Sequence, residues 1–220
     1  MIRKKLDLKN IFDRYYKKYD AWYEKSPSLY LSELAALKKV VPARGKGLEI
    51  GVGTGRFAVP LKIRYGIDPS KNMLKFARQR GINVRSGRGE KLPYKNSSFD
   101  HVVIIATLCF VRDPENVLKE ARRILKTGGR IIIAFIDKNS ILGKYYQRKK
   151  SVFYKKAVFF SVKDIRKWIH ETGFTGFTCF QTLFGPLKKM GSLQTPRKGY
   201  GKGSFIVIRS HKPVRRKKRV

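Results

Sequence analysis

LEIGVGTGRF, residues 48–57, carries the decisive pattern in this chain. Leu48 and Ile50 flank Glu49 in a short apolar run, and Gly51, Gly53 and Gly55 then fall on alternate positions. The pattern reads as a strand ending beside an acidic residue and running into a glycine turn. Glycines allow a tight turn and leave room for a ligand to approach the backbone, and a helix N-terminus beyond such a turn offers unpaired N–H groups. A dinucleotide fingerprint is spaced GxGxxG, whereas the run here is Glu-x-Gly-x-Gly-x-Gly.

Outward from this turn, short apolar runs alternate with helical patterns. GLEI (47–50), RYGID (64–68), NVR (83–85), HVVIIAT (101–107) and IIIAFI (131–136) read as strands, with two more near 175–183 and 203–209. Helices are predicted at 70–80, at 114–126 ending at Gly128-Gly129, and at 161–172 with Ser161 as cap. Nearly all-apolar strands separated by helices require a sheet covered on both faces. The fold class predicted is α/β, doubly wound: a mostly parallel seven-stranded sheet, helices on both faces, the last strand antiparallel, and an N-terminal helical cap. In the cap, residues 1–43, one helix carries Ile11, Phe12, Tyr15, Tyr16, Tyr19, Trp22 and Tyr23 over 11–23. A second begins after Ser26-Pro27, carries Leu31, Leu34, Leu37 and Val41, and stops at Pro42. Residues 1–211 are expected to form one domain, with insertions at 138–160 and 184–202 at the functional edge and a mobile basic tail at 212–220.

The chain has 220 residues, with 51 Lys plus Arg against 15 Asp plus Glu and a formal charge of +36. Such a surface attracts polyanions non-specifically; the same count also arises without any specific partner, so nucleic-acid function is not established by it. No apolar run has the length of a membrane span and the N-terminus is charged, so a cytoplasmic protein is expected. Cys109 and Cys179 lack metal-site or disulfide spacing, and no metal is expected. Oligomeric state is not readable.

The motifs, taken in order, resemble the class I, Rossmann-like S-adenosylmethionine-dependent methyltransferases with a small-molecule-type core. LEIGVGTGRF resembles that family's first motif. YGIDPS places Asp68 nineteen residues after Glu49. RGEKLPYKNSSFDHVVI (88–104) carries Glu90, Leu92 and Pro93 in the family's order, and LKEARRILKTGGRIIIAF (118–135) matches its helix, double-glycine turn and fifth strand. The resemblance covers residues 45–137 by motif. It implies that S-adenosylmethionine is the cofactor and S-adenosylhomocysteine the product. It further implies that Glu49 orients the donor site and that Gly51, Gly53 and Gly55 pack against the donor's amino acid moiety. Asp68 would accept both ribose hydroxyls, Glu90 and Leu92 flank the adenine, and Ala106 and Thr107 line the pocket. Two departures stand out. Arg88 occupies the place of an acidic adenine reader. The segment from Gly55 to Asp68 is about one turn short and contains Pro60, so its crossover helix must be stunted.

Methyl transfer from a sulfonium needs alignment, water exclusion and, for a protonated acceptor, a base. No catalytic residue is assigned. Tyr15, Tyr19 and Trp22 are aromatic faces suited to covering the sulfonium, Tyr19 being counted with the donor site; singly, each reads better as core packing. His101, His170 and His211 receive no role, and Cys109, in Leu-Cys-Phe, reads as a packed thiol. Thr-Leu-Cys-Phe at 107–110 lacks the Asn/Asp-Pro-Pro-aromatic motif of base-amino methylation. The expected acceptor is a small molecule. KYYQRKKSVFYKKAVFF (144–160) suits a lid over it and keeps open the alternatives of an RNA methyltransferase or a non-catalytic donor-binding protein.

Overall fold

The structure, a computed structural model, describes residues 8–149 and 151–214. Its centre is β1 (Gly47–Ile50), whose four residues are all buried. β1 pairs in parallel with β2 (Tyr65–Asp68) on one side and with β4 (Phe99–Ile105) on the other, Leu48 opposite Tyr65 and Val102. β2 carries β3 (Asn83–Ser86), and β4 carries β5 (Leu125–Ile136), both in parallel. Beyond β5 the direction reverses: β8 (Gly203–His211) is antiparallel to β5 and to β6 (Thr175–Phe184). With β7 (Arg197–Lys198) at the edge, the order is β3-β2-β1-β4-β5-β8-β6-β7.

The sheet thus has eight strands where seven were expected. The extra one, β7, is only Arg197–Lys198, paired to Phe180 and Gln181 inside the stretch read as the 184–202 insertion. Two residues carry no periodic pattern, so such a strand exists only through its partner. Gly128-Gly129 also behaves differently from expectation. The helix α4 (Pro114–Ile124) stops earlier, and the glycine pair lies within β5. There Lys212 brackets it, accepting from the Gly128 N–H at 2.9 Å and donating to the Gly129 carbonyl at 2.8 Å. The Lys212 ammonium donates to the Leu125 carbonyl at 2.7 Å, so the expected mobile tail starts from a fixed residue. Residues 215–220 of that tail and 1–7 of the cap lie outside the described residues.

Strand alternation divides the core. Val103, Ile105, Ile132 and Phe205 point to one face, where α2 (Pro27–Lys38) and α3 (Lys71–Gln79) cover them through Leu37 and Ala77. Ile104, Ile133 and Ile208 point to the other, under Leu118 of α4 and Ile165 of α6 (Val162–Glu171). α6 starts on the expected Ser161, in a capping box with Asp164. Between β1 and β2 there is no helix: residues 56–62 make isolated turns around Pro60, the shortened crossover anticipated from length.

The N-terminal helix α1 (Leu8–Lys25) breaks its regularity at Tyr15, with φ −110° and ψ 20°. Two carboxylates bind it to the sheet. Asp13 accepts from the Ser70 hydroxyl at 2.5 Å and the Asn72 N–H at 3.1 Å, at the start of α3. Asp20, buried, accepts from Arg56 (2.9 and 2.6 Å) and Arg80 (2.9 and 2.8 Å), and Arg80 also donates to the Thr54 carbonyl. Burial works to raise the Asp20 carboxyl, but the two guanidiniums outweigh it and hold the group well below the usual carboxylate range. Asp20→Asn keeps the shape and strands both cations. In urea denaturation at neutral pH this variant should lose roughly 3 kcal/mol, the cost of breaking a buried pair. A loss under about 0.5 kcal/mol, the level of an exposed pair, would mean that α1 is held by other contacts.

Candidate functional site

A cavity of about 700 Å³ opens at the carboxyl ends of β1, β2 and β4, where neighbouring connections leave in opposite directions. α1, α2 and the segment after β5 roof it. Its floor is the glycine turn. Gly51 sits at φ +74° and Gly53 at φ +52°, and a Cβ on Gly51 would collide with the Thr107 side chain. The Gly51 and Val52 N–H groups donate to the Ile67 carbonyl at 2.8 and 3.1 Å, laying the turn against the end of β2.

Asp68 joins turn and strand. Its Oδ2 accepts from the Gly53 N–H at 3.0 Å and its Oδ1 from the Ser70 N–H at 2.9 Å. Burial pushes its carboxyl up to about 6, partly offset by those two donors. Each oxygen retains acceptor capacity toward the cavity.

The structure brings together most of the residues singled out from sequence, but not all. Gly51, Gly53, Asp68 and Glu90 reach the cavity wall, as do Ala106, Thr107 and Tyr19. Ala106 stands at φ +48°, a left-handed non-glycine residue at the end of β4, its N–H held by the Ala134 carbonyl at 2.8 Å. The Thr107 hydroxyl donates to the Ile105 carbonyl at 2.8 Å. Glu90 accepts from the Arg112 N–H at 2.9 Å. Three others lie behind the wall. Gly55 packs against Ala77 and Ile82, and Leu92 is buried in the core under α4 with its N–H on Glu120. Glu49 is buried in β1, and its Oε2 has no partner among the described residues. Burial, then the nearby charge of Asp68, pushes the Glu49 carboxyl well above the ordinary range.

Of the aromatic candidates, Trp22 and Tyr19 reach the cavity, whereas Tyr15 lies off it, edge-on to Phe153 at 6.3 Å. The Tyr19 hydroxyl is 2.7 Å from that of Tyr23. Cys109 is on the wall with its sulfur 3.4 Å from the Ala106 carbonyl, and burial pushes its thiol up to about 12. It is a packed, protonated thiol at neutral pH. His101 is buried on β4, while His170 and His211 are exposed. Among the described residues no group of His, Cys, Asp and Glu could hold a metal ion, and no helix is long and apolar enough to cross a membrane.

Sequence reasoning missed two parts of the wall. The segment 138–160 was read as a lid but not resolved into residues; it contains α5 (Ile141–Arg148) and a single 3-10 turn at Tyr154–Lys156. Phe153 stacks on Phe12 at 5.5 Å and meets Tyr19 edge-on at 6.1 Å, closing the cavity against α1. Tyr146 and Tyr154 stack at 4.3 Å on another side. The second miss is Glu33 on α2. The apolar stripe was placed through Leu31, which is 46% exposed, whereas Glu33 is 8% exposed and faces the cavity. Glu33, Leu37 and Val40 are all buried on one face, a register that the small and apolar residues around α2 do not mark in the sequence.

This architecture defines a doubly wound α/β protein with a ligand crevice at the switch point of its sheet. Residues 48–133 match the family described as "Methyltransferase domain". A Thermotoga maritima crystal structure, described as a SAM-dependent methyltransferase, possible histamine N-methyltransferase, is 46% identical with TM-score 0.89, over 92% of this chain and 98% of that one. An uncharacterized protein of Methanocaldococcus jannaschii is 45% identical over 92% of this chain and 99% of its own length. The demethylmenaquinone methyltransferase of Oceanobacillus iheyensis is 27% identical over 71% and 68% respectively. The chain belongs to the class I S-adenosylmethionine-dependent methyltransferases.

Burial of Glu33 pushes its carboxyl up to about 8. An unfolded glutamate ionises near 4.3, so between these two values the native state keeps a proton that the unfolded chain has released. The stability that the raised group contributes is complete below the unfolded value and disappears as pH rises through about 8. Glu33→Gln lacks this titration. Urea denaturation at about pH 5 and about pH 8 should therefore show the variant gaining on the wild type as pH rises; a gap independent of pH would contradict the raised carboxyl.

Proposed function

We propose that the chain methylates a small-molecule acceptor held beside S-adenosylmethionine in the cavity over the glycine turn. Residues 1–211 act as one domain in this reading, in the cytoplasm. The observation that carries it is the buried, cavity-facing Asp68, fixed by the Gly53 and Ser70 N–H groups and still able to accept from a diol. The relatives named as a demethylmenaquinone methyltransferase and a possible histamine N-methyltransferase support a small acceptor.

The residues present fit the donor. Asp68 would hold the ribose hydroxyls, the bare backbone of Gly51 and Gly53 gives close approach, and Glu49 supports the turn from behind. Glu90, Ala106 and Thr107 wall the adenine side, Leu92 and Gly55 support it from behind, and Tyr19 offers a π face to a cation. When bound, S-adenosylmethionine supplies a sulfonium methyl to which the acceptor's lone pair bonds as the carbon–sulfur bond breaks, its electron pair staying on the sulfur of S-adenosylhomocysteine. The chain contributes alignment and a dry enclosure, the latter through the Phe12–Phe153 closure.

Calorimetric titration with S-adenosylmethionine should give micromolar binding to the wild type and at least a tenfold loss in Asp68→Ala. Wild-type affinity should also fall as pH drops through about 6, where Asp68 gains its proton and stops acting as a charged acceptor. No binding to the wild type would overturn the proposal.

A further inference from the structure

We propose that Glu33 is the acceptor-side carboxylate of the cavity, pairing with the ammonium of a small amine acceptor and taking its proton. This deepens the small-molecule reading above and rests on it. Glu33 lies on α2, away from the glycine turn, 8% exposed, and on the cavity wall. No described residue hydrogen-bonds or ion-pairs with its carboxyl. A carboxyl so placed keeps its proton when nothing answers it and ionises when a cation does, and a neutral ligand gives it no such partner.

The surroundings select a cation. Among the described residues, five tyrosines feel the charge of Glu33: Tyr19 and Tyr23 from α1, Tyr30 from α2 itself, Tyr146 from α5 and Tyr154 from the following turn. In each, burial raises the hydroxyl first and the charge of Glu33 adds to it, so these phenols remain neutral and offer π faces, not competing charges. Tyr146 and Tyr154 are stacked, and Trp22 stands edge-on to Tyr23 at 5.1 Å. Aromatic faces around a carboxylate are the chemistry that holds an organic ammonium. The described cations on the wall, Lys18, Arg88 and Lys149, are exposed, while Glu33 and Asp68 are buried. In a chain of charge +36 the cavity is therefore lined on the inside by acid.

The proton balance is simple. An ammonium nitrogen has no lone pair; when Glu33 takes its proton, the N–H electron pair stays on nitrogen and becomes the nucleophile. Methylation returns the nitrogen to a cation, and the Glu33 proton passes to solvent as the product leaves. A carboxyl that titrates near neutrality is matched to that exchange.

The test is calorimetry near pH 8 on protein saturated with S-adenosylhomocysteine, using phenethylamine and its neutral counterpart phenethyl alcohol, with wild type and Glu33→Gln. Wild type should prefer the amine by roughly tenfold or more, and the variant should lose that preference. Its affinities for the alcohol and for S-adenosylhomocysteine should stay within about twofold of wild type, and its melting temperature should be no lower, so misfolding is separated from loss of charge. A variant that keeps the amine preference, or a wild type without one, overturns the assignment. A wild type that does not bind S-adenosylhomocysteine removes the donor reading first and the assignment with it, a result distinct from the other two.

Discussion

Asp20 between Arg56 and Arg80 is the constraint on which the site depends. Neither guanidinium belongs to the cap: Arg56 follows the glycine turn and Arg80 ends α3. One buried carboxylate therefore fixes α1 to the glycine turn and to α3 at once, and with Asp13 it sets the position of what α1 carries into the cavity, Phe12, Tyr19 and Trp22. The geometry is bidentate toward each arginine, which restricts rotation as well as distance. Lysines in the same places would supply charge without that orientation.

The crevice is built from a second restraint of shorter range. Asp68 ties the turn to the end of β2 through backbone donors, which makes a side chain act as a strut in a loop where side chains are largely excluded. Ala106, just past β4, lines the same cavity in a left-handed conformation that only an over-determined environment sustains. Strain at the end of β4 and a hydrogen-bonded carboxylate at the end of β2 are what a site held ready for its ligand requires.

The parts of this arrangement legible in sequence are those written locally. β1, its turn and the Asp68 strand end lie within about twenty residues, and their motif order led directly to the sheet and to most of the cavity floor. The illegible parts depend on distant partners. α2 has small and apolar residues nearly all round, PSLYLSELAALK, so no stripe distinguishes Leu31, which faces outward, from Glu33, which faces in. The register of β7 is set by Phe180 and Gln181 and has no pattern of its own. The Gly128-Gly129 pair looks like a helix stop, yet α4 ends before it at Ile124 and Lys212, more than eighty residues later, draws it into the ladder. Glu49, Gly55 and Leu92 illustrate a further limit: a motif marks residues that belong to a site without separating those that touch the cavity from those that support it.

The missing helix between β1 and β2 reaches beyond local geometry. With only turns at 56–62, part of the sheet face that a crossover helix would cover falls to the cap: Tyr23 of α1 meets Phe57 edge-on, and α2 packs on β6 and β8. In the order of synthesis, α1 finds its anchors at Arg56 and Arg80 early, whereas α2 buries its apolar face only when β6 and β8 have been made. Half of the cap therefore waits while most of the chain leaves the ribosome, and the completed enclosure of the site is governed by contacts distant in sequence.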